Sequence, residues 1–293
     1  MEQKDKKILV PVDFSDKSKE GIYQAIQIAK VTGSKICLLH VIRTNLPPWN
    51  FMDEKEFTNQ IVTIEQALIA EAEKLVDSKP PVFTAIVKKG KLCDTILEQS
   101  KELNVEMIVM GTSTEDNIKK KIIGSNALRV TTEAEVPVVT VKKGCASSKI
   151  EKIIVPLDLT KETKEKVSDA IQLARQLNCK IFAVSFSSTN YEYVVNHLKR
   201  QLAQVKTFVS EAGIEIEAEY KYYNSGSRDE KLVEYIQEKE GDIVMITTHQ
   251  QAEIIRFFLG SFAEEVIHGA PVPVLSIVPK GTFKTIMTMP GTD

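Results

Sequence analysis

The chain has 293 residues, of which 43% are apolar and 27% charged, and its 38 basic and 40 acidic side chains give a net charge of −2. This length predicts about two domains of roughly 150 residues each. Because the charges nearly balance, the sequence provides no strong positive field to attract nucleic acids or anionic membranes, and we expect neither as a partner.

The first predicted strand lies close to the N-terminus, over residues 7–12. Its apolar run contains Pro11 and ends at Asp13. The run is too short for the core of a signal peptide, and no segment of the sequence approaches the ~18 apolar residues of a membrane span. We therefore expect a cytoplasmic protein.

Strand-like and helix-like segments alternate through the first half of the chain. The predicted strands are 7–12, 35–42, 82–88, 106–110 and 137–142, and the predicted helices are 16–31, 56–77, 91–103 and 124–134. The strands are continuous apolar runs rich in Val and Ile, which is typical of parallel strands covered on both faces. Their alternation with helices predicts right-handed crossovers and a doubly wound parallel sheet.

The second half of the chain repeats the first. The sequence ILVPVDFS at 8–15 returns as IIVPLDLT at 153–160, an offset of 145 residues, and MIVMGT at 107–112 returns as IVMITT at 243–248, an offset of 136. Unit one, the first copy, therefore carries nine more residues than unit two, the second copy, between these blocks. We place them in the Pro-rich segment 43–54.

A short polar segment, KKGCASSK at 142–149, separates the two copies. We predict a first domain over residues 1–144 and a second over 150–280. The remaining C-terminal tail, 281–293, shows neither the repeat nor a clear periodicity.

Cysteine and histidine are few and scattered. Cys37, Cys93, Cys145 and Cys179 form no C-x-x-C pair, and the four histidines show no metal-ligand spacing. We therefore expect reduced structural or surface thiols and no metal site. His40 is interpreted as a strand residue, with a role at the strand end as the alternative.

Ligands of doubly wound sheets bind outside the carboxyl ends of the strands, where the strand order reverses. One candidate loop there begins at Asp13. Its carboxylate could accept hydrogen bonds from a ribose or an adenine amine, or it could be a turn carboxylate beside the cap of the next helix, at Ser15 or Asp16. The repeat of this residue at Asp158 does not decide between the two, because duplication copies either.

The second candidate loop is GTSTEDNIKKKIIGSN at 111–126, which is made locally basic by the lysines at 119–121. Gly111 leaves a strand at a point where a ligand can approach the backbone closely. Gly124 and Ser125 open a helix whose N-terminus can hold an anion. The alternative is that Gly124 is a turn residue with positive φ and Ser125 an ordinary N-cap.

These residues together resemble the universal stress protein family, once in each unit and over nearly the whole chain. The resemblance rests on VPVDFS and VPLDLT, on LLHV at the end of the second strand, and on the spacing of the glycines between 111 and 125. It implies in each unit a five-stranded parallel α/β fold with strand order 3-2-1-4-5. Many members of the family are dimeric.

The family's pairing and the duplication together predict that the two units pack as an intrachain pseudo-dimer. Their last strands, VPVVTV at 136–141 and VPVLSIV at 272–278, are apolar and would lie at a sheet edge. An exposed apolar edge strand is an aggregation hazard, so we expect these strands to be paired or covered.

One branch of the family binds ATP through G-x2-G-x9-G-[ST]. In unit one, Gly111 and Gly124-Ser125 keep the spacing, but Thr114 replaces the middle glycine. The resemblance implies an ATP site in domain one. Its residues would be Asp13 for the adenosine, Val41 and Met110 for the adenine pocket, and Gly111, Gly124, Ser125 and Asn126 for the phosphates.

Unit two departs further from that pattern. Thr247 and Gln250 stand where the first two glycines should be, and only Gly260-Ser261 remains. Phe257 and Phe258 are typical of packing residues rather than of phosphate ligands. We therefore expect no nucleotide in domain two.

Our first hypothesis is a stress-response protein that holds an adenine nucleotide in unit one and uses unit two for assembly. The alternative is a nucleotide-free scaffold that acts through unknown protein partners, and either could form a homo-oligomer of the whole chain. We do not expect an enzyme, because the sequence shows no assembled general base or metal cluster.

Overall fold

The computed structural model describes residues 6–43, 54–77, 79–112, 124–158, 163–248 and 260–277, without the side chains of 163–165. The strands within these ranges are β1 Lys7–Pro11, β2 Lys35–Ile42, β3 Phe83–Lys89, β4 Met107–Thr112, β5 Val138–Lys142, β6 Lys152–Pro156, β7 Lys180–Ser187, β8 Ile216–Tyr222, β9 Ile243–Thr247 and β10 Val274–Ile277. The helices are α1 Asp16–Thr32, α2 Glu54–Glu73, α3 Leu92–Glu102, α4 Ser125–Glu133, α5 Thr163–Leu177, α6 Glu192–Glu211, α7 Arg228–Lys239 and α8 Ser261–Gly269. The predicted alternation of strands and helices is confirmed.

All ten of these strands form one sheet, in the order β3-β2-β1-β4-β5-β10-β9-β6-β7-β8. Strands within a unit are parallel, and each unit has the expected order 3-2-1-4-5. The units meet where β5 pairs with β10 in antiparallel register, with Val139 opposite Leu275. The predicted pseudo-dimer is therefore confirmed, and each apolar edge strand is covered by the other.

Helices cover both faces of this sheet, as the unbroken apolar strands require. One core packs the strands against α1, α2, α5 and α6, and the other packs them against α3, α4, α7 and α8. Both cores contain residues of both units, so the junction is part of the hydrophobic interior. Among the described helices, none combines the length and the apolar composition needed to cross a bilayer.

Polar contacts strengthen the junction between the units. The Lys142 ammonium donates to the carbonyl of His268 in the last turn of α8, at 2.7 Å, where the helix end carries partial negative charge. Glu20 and Gln24 of α1 accept hydrogen bonds from the linker amides of Gly144 and Ser147, at 2.9 and 2.8 Å. Helix α1 therefore holds the chain that leads into unit two.

The nine-residue difference between the units is distributed over three connections. Element bounds make the connection from β2 to α2 seven residues longer than that from β7 to α6, and the connection from α2 to β3 five residues longer than that from α6 to β8. The connection from β3 to α3 is three residues shorter than that from β8 to α7. Segment 43–54 therefore accounts for most of the difference but not for all of it.

Tyr235 of α7 carries a buried hydroxyl group that has no hydrogen-bond partner among the described residues. The residue is 2% exposed, and its ring lies edge-on to Phe186 at a centroid distance of 6.2 Å. We expect Tyr235→Phe to raise the free energy of unfolding by about 1 kcal/mol, because it removes an unpaired polar group and keeps the ring. Urea unfolding measures this change.

Tyr193→Phe serves as the matched control, because its side chain is 80% exposed. This control should leave the free energy of unfolding unchanged within about 0.5 kcal/mol. A loss of stability in Tyr235→Phe would mean that the hydroxyl has a partner, and would contradict the prediction.

Candidate functional site

The carboxyl ends of β1, β2 and β4 meet at one edge of unit one, where the strand order reverses. Pro11 is paired with Leu39 of β2, and the Val12 amide continues this register by donating to the Leu39 carbonyl at 2.8 Å. Asp13 and Val41 each lie two residues beyond that pair. Gly111 is the next-to-last residue of β4, which lies on the other side of β1 from β2. The structure thus brings together residues that the sequence separates by up to about one hundred positions.

Asp13 is exposed and acts on the helix that follows it. Its Oδ1 accepts hydrogen bonds from the Ser15 amide at 3.1 Å and from the Ser15 hydroxyl at 2.5 Å, and Ser15 is the N-cap of α1. Desolvation raises the pKa of Asp13, but these hydrogen bonds outweigh it and the pKa lies below its usual value. The turn role of Asp13 is therefore confirmed, and its role towards a ligand stays a prediction.

Phe14 adopts a left-handed backbone conformation directly after Asp13, with φ of 63°. For a residue with a side chain this costs roughly 1–2 kcal/mol, and such strain is found most often at functional sites. The ring lies 5.4 Å from that of His40, whose Nδ1 donates to the Val12 carbonyl at 2.8 Å. His40 is a residue of β2 as expected, and it also ties the end of β2 to that of β1.

Gly111 was expected to let a ligand approach the backbone, but it instead allows α1 to pack closely on β4. A Cβ built at this position would lie 1.8 Å from the carbonyl oxygen of Lys17. The space left by the missing side chain is therefore filled by the first turn of α1 and does not admit a ligand. Gly21 of α1 lies on the other side of this contact between α1 and β4, and a Cβ added to it would lie 2.9 Å from the Gly111 amide nitrogen.

The two residues expected to form the adenine pocket differ in exposure. Met110 is 6% exposed and belongs to the core beneath α3 and α4, so its side chain does not line an open pocket and only its backbone is available at the edge. Val41 is half-buried and packs against the same core. Of Met110 and Val41, only Val41 therefore has a side chain that is accessible at the carboxyl edge of the sheet.

The N-terminus of α4 does not have the geometry of the alternative considered above, in which Gly124 has a positive φ and Ser125 is the N-cap. Gly124 is the N-cap, with φ of −53°, and no described side chain caps this end. Gly124 therefore has no positive φ, and Ser125 is the first helical residue rather than the N-cap. Ser125 and Asn126 are exposed, and the first amide groups of α4 are left for an anion.

A cleft of about 330 Å³ opens beside this helix end. It is lined by Arg43, Gly90, Lys91, Leu92, Cys93, Asn126 and Arg129. Of the predicted site residues, only Asn126 contributes to this lining. Sequence reasoning missed the three basic residues, although Arg43 directly follows a predicted strand and Lys91 follows another, 82–88, after only two residues.

Cys93 forms the buried wall of the cleft. It is 5% exposed, and its thiol donates to Asn126 Oδ1 at 3.4 Å. Burial raises the pKa of Cys93, which disfavours the nucleophilic thiolate. The four cysteines are free, and only Cys145 is partly exposed, which confirms the expectation of structural and surface thiols.

The equivalent edge of unit two is filled by its own side chains. Lys166 of α5 is 5% exposed, and its ammonium donates to the Pro156 carbonyl at 3.3 Å. Arg228 donates to the next carbonyl, of Leu157, at 3.3 Å, and its guanidinium lies 4.6 Å above the ring of Phe262. Two cations thus reach the end of β6 from opposite faces of the sheet.

Several predicted features lie outside the described residues. They are Thr114, Gln250, Phe257, Phe258, the lysines at 119–121, and the tail 281–293. Within the described ranges, no group of three His, Cys, Asp or Glu side chains is placed to hold a metal ion.

The model of the Universal stress protein family matches the chain twice, over residues 5–142 and 149–277. A universal stress protein of Methanocaldococcus jannaschii is 28% identical over 142 residues, which is 47% of this chain and 82% of that protein. Universal stress protein G of Salmonella typhimurium is 30% identical over 146 residues, which is 47% of this chain and 99% of that protein.

The fold of the whole chain also has a counterpart among crystal structures. A universal stress protein from Archaeoglobus fulgidus superposes with a TM-score of 0.75 at 19% identity, covering 94% of this chain and 99% of that chain. At 19% identity this similarity shows a shared fold, and the shared fold extends over both units.

Proposed function

This chain belongs to the universal stress protein family, and we propose that it is a cytoplasmic stress-response protein that binds an adenine nucleotide such as ATP at the carboxyl edge of unit one. We propose one such site in each chain and none in unit two. The proposal is for binding rather than catalysis.

The difference between the two strand edges carries this proposal. At the edge of unit two, Lys166 and Arg228 donate to the last carbonyls of the strand that corresponds to β1. By the repeat, the same positions in unit one hold Gly21 and Leu92. Neither residue has a donor side chain, so within the described ranges no cation reaches the end of β1 from these two positions. A ligand can therefore reach the end of β1, whereas Lys166 and Arg228 already occupy the end of β6 in unit two.

Groups suited to each part of a nucleotide lie along the edge of unit one. The uncapped first turn of α4, with Ser125 and Asn126, is suited to phosphate because its amide groups and helix dipole attract anions. Since the pKa of Asp13 lies below its usual value, this carboxylate is ionised at neutral pH and can accept hydrogen bonds from ribose hydroxyls. Val41 offers an apolar surface for the base.

A second candidate function, a scaffold for protein partners, is favoured by exposed aromatic residues in unit two. Tyr191 and Tyr193 at the start of α6 are 77% and 80% exposed, and the ring of Tyr193 is parallel to that of His197. Aromatic side chains are enriched at protein interfaces. A scaffold of this kind would not require a nucleotide.

A pair of matched glycine variants tests the nucleotide proposal. Gly124 and Gly260 are the N-caps of α4 and α8, with similar backbone conformations at φ −53° and −62°. Neither needs glycine for its backbone, so both Gly124→Val and Gly260→Val should fold. We expect Gly124→Val to weaken ATP binding at least tenfold, because its branched side chain crowds the helix end, while Gly260→Val binds ATP as the wild type does.

Calorimetric titration with ATP measures affinity and stoichiometry, and thermal melts with and without ATP provide an independent check. ATP at about 100 times its dissociation constant should stabilise the wild type by roughly 2.7 kcal/mol. Absence of any ATP effect at millimolar concentration, or two equivalent sites in each chain, would contradict the proposal. Sustained ATP turnover would contradict the part that excludes catalysis.

A further inference from the structure

The two units meet through a junction that a second copy of the chain could also supply. Val139 of β5 lies opposite Leu275 of β10, and the core beneath this pair contains residues of both units. Any two copies present the same β5 and β10 surfaces, so the junction by itself does not distinguish pairing within a chain from pairing between chains. Exchange of whole units between identical chains, called domain swapping, is a low-cost route to dimers.

The length of the linker, residues 143–151, does not enforce pairing within the chain. It runs from the end of β5 at Lys142 to the start of β6 at Lys152, and both points lie at the same edge of the sheet. Because β10 and β9 lie between these strands, the two points are separated by three strand spacings, or about 14 Å. The ten residue steps between them span up to about 33 Å when extended. The linker is therefore long enough to lead unit two to another copy, and its conformation decides whether it does.

Helix α1 of unit one holds the first part of the linker in a folded path. Gly144 lies in a turn and has a left-handed φ of 71°. Its amide donates to Glu20 Oε1 at 2.9 Å, and the Ser147 amide donates to Gln24 Oε1 at 2.8 Å. Since both acceptors belong to α1, these hydrogen bonds form only while the linker lies against unit one.

Unit two holds the other part of the same linker. The Ser147 hydroxyl donates to the carbonyl of Asp242, the residue directly before β9, at 2.5 Å. One carboxylate oxygen of Asp242 accepts hydrogen bonds from the amides of Glu151 and Lys152, at 2.8 and 2.9 Å. Ser147 is thus bound to unit one through its amide and to unit two through its hydroxyl. The residues that fix the linker in this way are called the linker clamp: Glu20, Gln24, Gly144, Ser147 and Asp242.

Gln24 is a costly residue in its position apart from the hydrogen bond that it accepts from the linker. Its side chain is 0% exposed, and its Nε2 has no hydrogen-bond partner among the described residues. A buried amide with an unused donor lowers stability, whereas an apolar side chain of similar volume does not. The repeat places Asp169 rather than glutamine at the equivalent position of α5. The glutamine is therefore specific to the unit that precedes the linker.

We propose that the linker clamp keeps the two units paired within one chain, and that the partner admitted when the clamp opens is a second copy of this chain. In that dimer, unit one of each copy pairs with unit two of the other through the same β5–β10 contacts. Because these junction contacts are the same in both arrangements, they cancel when the arrangements are compared. The clamp contacts do not cancel, since they require the folded linker, and each of them favours pairing within the chain.

Refolding of the full chain from urea at high protein concentration tests this inference. The double variant Glu20→Ala, Gln24→Ala removes both acceptors on α1, and each lost hydrogen bond favoured the single chain. We expect its fraction of dimer to exceed that of the wild type about tenfold or more, as measured by light scattering after size-exclusion chromatography. A swapped dimer separates only when the junction unfolds. It should therefore persist after dilution and return to single chains only after unfolding and refolding at low concentration.

Gly144→Val is a second variant that leaves α1 unchanged. A Cβ at this position meets no atom within 4 Å, but the φ of 71° is unfavourable for valine. A linker that leads to another copy is not bound to this conformation, so the variant should also form the persistent dimer. The control is Gln66→Ala, Glu98→Ala, because both side chains are exposed on helices of unit one, and it should behave as the wild type does.

Persistent dimers from either clamp variant, together with their absence from the wild type and the control, support the inference. It is overturned if both clamp variants stay single chains, or if their dimers dissociate on dilution as dimers held by exposed surfaces do. Persistent dimers formed to the same extent by the wild type or by the control would overturn it as well. No nucleotide enters this test, so its outcome is independent of the proposed function.

Discussion

Replacing Gly111 by alanine should lower the free energy of unfolding by about 3 kcal/mol or more, which is the upper range for overpacking a protein interior. The added Cβ would lie 1.8 Å from the Lys17 carbonyl oxygen and 2.4 Å from the carbonyl carbon. Both are backbone atoms in the first turn of α1, so they cannot rotate away as a flexible side chain would. Helix α1 would have to shift away from β4.

Urea unfolding measures this effect, and Gly269→Ala is its control. A Cβ on Gly269, the last residue of α8, would meet Val233 Cγ2 at 3.7 Å, an ordinary contact distance. The control should change the free energy of unfolding by no more than about 0.5 kcal/mol. If Gly111→Ala were as stable as the wild type but lost its nucleotide affinity, the glycine would serve the ligand and not the packing.

A second large loss of stability is expected for Leu275→Ala at the junction of the two units. Leu275 is 1% exposed and lies opposite Val139, in a core that also includes residues of α1 and α5. Removing a buried leucine side chain costs about 2–5 kcal/mol. Because the lost contacts cross the junction, we also expect the two units to unfold less cooperatively.

Two probes of the same urea titration test this second effect. Hydrogen exchange of peptides from unit one reports on that unit, while circular dichroism reports on both units. The two curves should coincide in the wild type and separate in Leu275→Ala. Val82→Ala is the control, since Val82 is 57% exposed. A Leu275→Ala variant as stable as this control would show that the junction contributes little.

Much of the fold could be predicted because its determinants are local. Strand β2 was predicted at 35–42, as observed, because an apolar run rich in Ile and Leu between two polar segments is enough to indicate a buried parallel strand. Helix α1 was predicted from residue 16, where Ser15 provides a cap. The duplication then supplied the second unit and the expectation that the two edge strands would be covered.

The candidate site was less predictable, because its residues act through neighbours that are distant in sequence. Gly111 was expected to make room for a ligand, but its environment is set by Lys17 in another element. Met110 was expected to line a pocket, but the packing of α4 places it in the core. Gly124 was considered as a turn with positive φ, although nothing local to the residue requires one.

The sequence by itself determined the two-unit α/β architecture, the strand order implied by the family resemblance, and the asymmetry between Gly111 and Thr247. Periodicity and repetition suffice for the architecture and the asymmetry, because each depends on residues close together or on comparing one copy with the other, whereas the strand order came from the resemblance alone. Only the tertiary structure decided which helix fills the space beside Gly111 and that Lys166 and Arg228 occupy the edge of unit two. It alone brought Arg43, Lys91 and Asn126 into one cleft, because parallel strands joined by crossover helices gather their carboxyl ends at a single edge whatever their separation along the chain.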